Sequence, residues 1–66
     1  MAQYNLRRRH PVNKREARTL NAALTEAHGL EFSYRPGEVE LAQSPTGQAL
    51  LRDGRVIALE RGGAWH

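Results

Sequence analysis

NKREARTLNAALTEAHGLEFSYR, residues 13–35, is the stretch in which the hydrophobic period changes, and that change decides the fold class. Asn13 is a strong N-cap, and Glu16 three residues later completes a capping-box pattern. Val12 is placed to staple weakly onto Ala17. Ala17, Leu20, Leu24 and Ala27 recur at spacings of three and four, giving one apolar stripe on a helix over 14–28. Gly29 stands where a left-handed C-cap is wanted, and Leu30 is expected to fold back on Leu24. His28 suits the negative end of the helix dipole. After Gly29 the period drops to two. Leu30, Phe32 and Tyr34 alternate with Glu31, Ser33 and Arg35, the pattern of a half-buried strand.

Downstream, the pattern stays at two. Pro36-Gly37 is a turn dipeptide, Val39 and Leu41 alternate with Glu38, Glu40 and Ala42, and Ser44-Pro45-Thr46-Gly47 is a second turn. Residues 48–52 and 55–60 read as strands joined by Asp53-Gly54, the strongest short hairpin signal. A two-residue loop pairs Arg52 with Arg55, Leu51 with Val56 and Leu50 with Ile57. One hairpin face then carries Leu50, Ile57 and Leu59, the other Ala49, Leu51, Val56 and Ala58. Both faces are apolar, so the ribbon is expected to be buried on both sides or to have a partner on one. Arg52 and Arg55 side by side repel; they read either as a second anionic contact or as two solvated side chains. Gly62-Gly63 loosens residues 62–66 into a flexible tail. Trp65 within it is a flap over the core or a docking anchor. No internal repeat or low-complexity segment is present.

Upstream, residues 1–12 read as a basic extended arm. Three arginines follow an isolated Leu6, and Pro11 pushes His10 away from helical geometry. A run of this kind is a solvated tail in many proteins. Here it leads directly into the helix, whose flank carries Lys14, Arg18 and Asn21 one turn apart. Basic residues at a helix start oppose the macrodipole by a few tenths of a kcal/mol each, so positive charge at that place has a use.

The charge is correspondingly lopsided. Residues 1–18 hold Arg7, Arg8, Arg9, Lys14, Arg15 and Arg18 against Glu16, a balance of +5; residues 19–66 hold Arg35, Arg52, Arg55 and Arg61 against six acids, a balance of −2. The formal +3 is therefore a basic start on a mildly acidic body. A polyanion held nearby stabilises such a cluster. The chain of 66 residues is one domain at most and buries a small core, so it is expected to gain stability from a partner. It has no cysteine, hence no disulfide or thiolate metal site, which suits a cytoplasmic setting. No apolar run follows the basic start as in a signal peptide, and none approaches a membrane span. His10, His28 and His66 show no metal-ligand spacing, and no nucleophile–base, P-loop or GxGxxG pattern occurs. An enzyme is not expected, nor a metal, a cofactor or a small-molecule substrate.

The order of parts resembles a known family. RRRHPVNKREARTLNAALTEAHGLEF (7–32), VELAQ (39–43) and LLRDGRVIALERGGAW (50–65) look like the small domain that precedes the PUA domain in archaeal and eukaryotic translation proteins. The matching positions are Arg9, His10, Lys14, Glu16, Gly29, Leu30, Val39, Glu40, Asp53 and Gly54. In that family the chain continues into the PUA domain, which carries much of the RNA recognition. The resemblance therefore implies a stand-alone relative, working in translation and held on RNA by backbone contacts.

The expected fold is α+β: a basic arm (1–12), then a single domain (13–61) of one amphipathic helix and an antiparallel sheet of about four strands. The expected function is RNA binding, as a small structural ribosomal or ribosome-associated protein beside rRNA and neighbouring ribosomal proteins. Arg7, Arg8, Arg9, Lys14, Arg15 and Arg18 are candidates for phosphate contacts, with Arg52 and Arg55 as a second group. Tyr4 and His10 are candidates for stacking on splayed bases, which favours RNA over duplex DNA. No reading helix of the helix-turn-helix kind is present. The alternatives are a nucleic-acid-binding regulator dimerising through the doubly apolar hairpin, and a protein–protein adaptor using Trp65 and the acidic strand.

Overall fold

A computed structural model describes residues 5–66 of the chain. Strand β1 (Arg7–Pro11) leads into helix α1 (Lys14–His28), and β2 (Glu40–Ser44), β3 (Gly47–Arg52), β4 (Arg55–Arg61) and β5 (Ala64–Trp65) follow. The strands form one antiparallel sheet in the order β1-β2-β3-β4-β5, so the fold is α+β with five strands.

The helix forms as its capping residues dictate. Asn13 Oδ1 accepts from Glu16 N–H at 2.8 Å, and Glu16 Oε1 accepts from Asn13 N–H at 3.0 Å. At the other end Gly29 takes φ 70° and donates to the Thr25 carbonyl at 2.9 Å. Ala17, Leu20 and Leu24 pack with Val12, Val39, Leu41, Leu50 and Trp65. A second cluster lies on the opposite face of the sheet, where Ala42, Ala49 and Leu51 meet Leu6, Val56 and Leu59. Both faces of β3 are thus buried within one chain, with Ala49, Leu50 and Leu51 all at or below 2% exposure, while Val56, Ala58 and Leu59 of β4 are half-buried.

The turns follow their residues. Asp53 and Gly54 both have positive φ (53° and 77°), as a two-residue hairpin loop of primed type requires. Gly47 is needed for a different reason: a Cβ there would run into the carbonyl oxygen of Glu60 on the neighbouring strand.

Several expectations are corrected. The basic arm is not detached from the domain: residues 7–11 are extended, but as edge strand β1, paired with β2. The tail 62–66 is not loose either. Gly62 and Gly63 form a turn that returns the chain along β4, and Trp65 is buried at 9% exposure.

Residues 30–35 do not join the sheet. Phe32 N–H donates to Thr25 Oγ1 at 3.0 Å, and Asn21 clamps Tyr34 by both its N–H (2.9 Å) and its carbonyl (3.0 Å). The segment is tied to helix side chains instead of a ladder, so Phe32 and Tyr34 pack on the core with no strand partner. Leu30 is 66% exposed and does not fold back on Leu24, and Ala27 is exposed, so the buried stripe ends at Leu24.

The β3–β4 register also departs from simple alternation. Arg52 opposes Arg55 and Leu51 opposes Val56, but Leu50 then opposes Ala58 and not Ile57. A bulge leaves Ile57 unpaired and 45% exposed. The shift sets Ala58 beside Leu50 under α1 and sends Leu59 to the second cluster with Val56.

Candidate nucleic-acid interface

The basic residues are positioned by two features: an irregular edge strand and a capped helix joined to it through buried Val12. In β1, Arg7 opposes Gln43 and His10 opposes Leu41, so Arg8 and Arg9 together stand opposite the single Ala42. Arg8 adopts φ 56°, a left-handed conformation costing about 1–2 kcal/mol for a side-chain-bearing residue. The bulge divides the two arginines. Arg8 borders a cavity with His10, Gln43 and Gln48, whereas Arg9 lies with Glu38, Glu40 and Leu51.

His10 ties the strand to the helix. Its Nδ1 donates to the Arg8 carbonyl at 2.8 Å, and its Nε2 lies 2.8 Å from Glu16 Oε2. Two acceptors on the two ring nitrogens favour the imidazolium. The Arg8 carbonyl first, and the Glu16 carboxylate second, hold the His10 pKa above its ordinary value. Glu16 is held below the ordinary carboxylate range, chiefly by the Asn13 N–H and then by His10. One carboxylate thereby closes the capping box and the strand–helix corner together. The same hydrogen bonds hold the His10 ring by both nitrogens, which counts against its swinging out as a stacking platform. Tyr4, the other stacking candidate, lies outside the described residues.

On α1 the cations separate by helix geometry. Arg15 faces a cavity with Thr19 and Ala23. Lys14 and Arg18 lie one turn apart on the flank that carries Asn21, whose amide is engaged with Tyr34. Arg7, Arg8, Lys14, Arg15 and Arg18 are all exposed, and none is in an ion pair among the described residues.

Arg9 and Arg52 differ. Arg9 donates to Glu40 Oε1 through both Nε (2.9 Å) and Nη2 (2.7 Å). Arg52 lies 3.4 Å from Glu38. The repulsion between cross-strand Arg52 and Arg55 is therefore answered within the chain. The hairpin tip shares its surface with Glu38, Glu40 and Asp53, so positive charge there is locally balanced. The structure gathers Arg7, Arg8, His10, Lys14, Arg15 and Arg18 on β1 and the start of α1, and leaves Arg9, with Arg52 and Arg55, in a mixed-charge region beside Glu38, Glu40 and Asp53.

Sequence reading passed over Gln43, Gln48 and Glu60. These stand in adjacent register across β2, β3 and β4, on the sheet face that carries α1. Their signal was present in the parity of the strands: Gln43 shares a face with Leu41, and Gln48 with Leu50.

No helix of the described residues is long and apolar enough to cross a membrane. No group of three or more histidine, cysteine or acidic side chains is placed to hold a metal ion among them. Comparison with family models, curated proteins and solved structures gives no match.

Proposed function

We propose that this protein binds RNA through β1 and the first turns of α1, as a small cytoplasmic component of a ribosomal or ribosome-associated particle. The observation that carries this reading is the sorting of the cations. Among the described residues Arg9 and Arg52 are matched by carboxylates; of the cations left unmatched, Arg7, Arg8, Lys14, Arg15 and Arg18 gather on two elements joined by His10 and Glu16, whereas Arg55 and Arg61 stand at the two ends of β4 and Arg35 in the loop before β2. An unmatched set on a rigid corner suits a polyanion whose phosphates are themselves held in place. The resemblance to the domain preceding PUA supports translation as the setting.

Co-sedimentation of the tagged protein with ribosomes from its own cells, across a salt series, tests the reading. Retention on the particles through washes near half-molar salt marks an integral component. Loss at low salt, or no sedimentation at all, counts against it. In direct RNA binding, replacing Arg7 and Arg8 with Ala should weaken affinity and lower the log–log salt slope by about 0.7 for each single-strand phosphate left unneutralised.

A further inference from the structure

Helix α1 does not cover the whole sheet face on which it lies. It packs over Leu41 and Leu50, and the next row outward remains open. Register places Arg7 opposite Gln43, Gln43 opposite Gln48, Gln48 opposite Glu60 and Glu60 opposite Trp65, so one row crosses all five strands. Only its Trp65 end is buried; Gln43 and Gln48 are exposed.

Two cavities, of about 240 and 290 Å³, run along this row and share Glu16, Leu41 and Gln48 as lining. They form one groove, walled by α1 on one side, with Arg8 at one end and Arg15 on the wall. Among the described residues the side-chain amides that hydrogen-bond are Asn13 and Asn21; those of Gln43 and Gln48 are unengaged. Glu60 accepts from Gly63 N–H through Oε2 and leaves Oε1 as an acceptor.

We infer that this groove takes a single-stranded RNA segment, with Gln43 and Gln48 on the base edges and Arg8 and Arg15 on the flanking phosphates. The inference rests on the RNA-binding reading and adds what kind of RNA is bound. The chemistry is complementary on both counts. A glutamine amide presents a donor and an acceptor side by side, which matches the exocyclic amine and adjacent ring nitrogen of adenine. Uracil has no exocyclic amine to offer Glu60 Oε1 or the amide oxygens. Base edges of this kind are reachable only in unpaired RNA.

Fluorescence anisotropy with the full chain tests this, using short labelled oligo(A), oligo(U), an A–U duplex and oligo(dA), each over a salt series. Oligo(A) is expected to bind about tenfold more tightly than oligo(U) or the duplex. The Gln43→Ala/Gln48→Ala double variant should lose that preference and keep the salt slope, and an unchanged thermal midpoint shows that it is folded. A wild-type protein that binds all RNAs equally, or a double variant that keeps the preference, overturns the groove and leaves the RNA-binding reading standing. Equal affinity for oligo(dA) overturns the assignment to RNA, and displacement by polyglutamate as readily as by RNA overturns the assignment to a nucleic acid. Failure to bind any of the RNAs overturns both readings.

Discussion

His10 lies between a backbone carbonyl and a carboxylate that also caps the helix, so its protonation is coupled to the fold. Its pKa is raised in the folded chain. The stability it contributes is fully present below the ordinary histidine value of about 6.5 and is lost as pH rises through the raised folded value. Glu16 is shifted down, so its contribution holds above the ordinary carboxylate range and is lost as pH falls through the lowered value. Thermal melts should show a midpoint that falls as pH is taken from about 6 to about 8, by at most about 5 °C because the pair is solvent-exposed. His10→Gln should flatten that dependence; an unaltered slope in the variant would assign the effect to another group. Gly47 is a second single-residue constraint. Gly47→Ala drives a methyl group into the Glu60 carbonyl and should cost about 1–3 kcal/mol in urea unfolding, with the β3–β4 ladder displaced.

Among the elements, α1 was legible in full at its caps because capping is local: Asn13, Glu16 and Gly29 act on backbone groups within one turn. Residues 30–35 were not legible as to partner. Alternation reports that one side of an extended segment is buried, and it is silent on where the backbone N–H groups go. Here they go to Thr25 and Asn21. Asn21→Ala removes both hydrogen bonds to Tyr34 and should cost about 1–3 kcal/mol. Hydrogen exchange should show the Tyr34 amide losing protection while amides in the middle of β3 retain theirs. The same limit applies to β1. Its RRRHP sequence has no apolar alternation, because as an edge strand with a bulge it gains its place by pairing with β2 and by the His10–Glu16 and Arg9–Glu40 contacts.

At the scale of the whole molecule the core depends on a residue next to the end of the chain. Trp65 packs with Leu20, Leu24, Leu41 and Leu50, and it is the chain's one tryptophan. Removing it should cost about 3–5 kcal/mol, most of the margin of a domain this small. Trp65→Ala is therefore expected to be largely unfolded at room temperature by circular dichroism, whereas Trp65→Phe keeps the fold at a lower midpoint. In the wild type, indole emission should be blue-shifted and move red in the same transition that circular dichroism follows. A Trp65→Ala protein as stable as wild type would return residues 62–66 to the status of a loose tail.

The sequence by itself determined what local physics can determine: the helix and its caps, the Asp53-Gly54 hairpin, the α+β class and the concentration of positive charge in residues 1–18. Tertiary structure decided what depends on distant partners. It made the basic start an edge strand, drew Trp65 into the core, and placed the bulge at Ile57 so that Leu50 faces the helix and Leu59 the second cluster. It also sorted the arginines, because whether a cation is matched depends on which carboxylate the sheet register brings beside it. Glu40 reaches Arg9 and Glu38 reaches Arg52 across gaps in sequence that no local pattern spans.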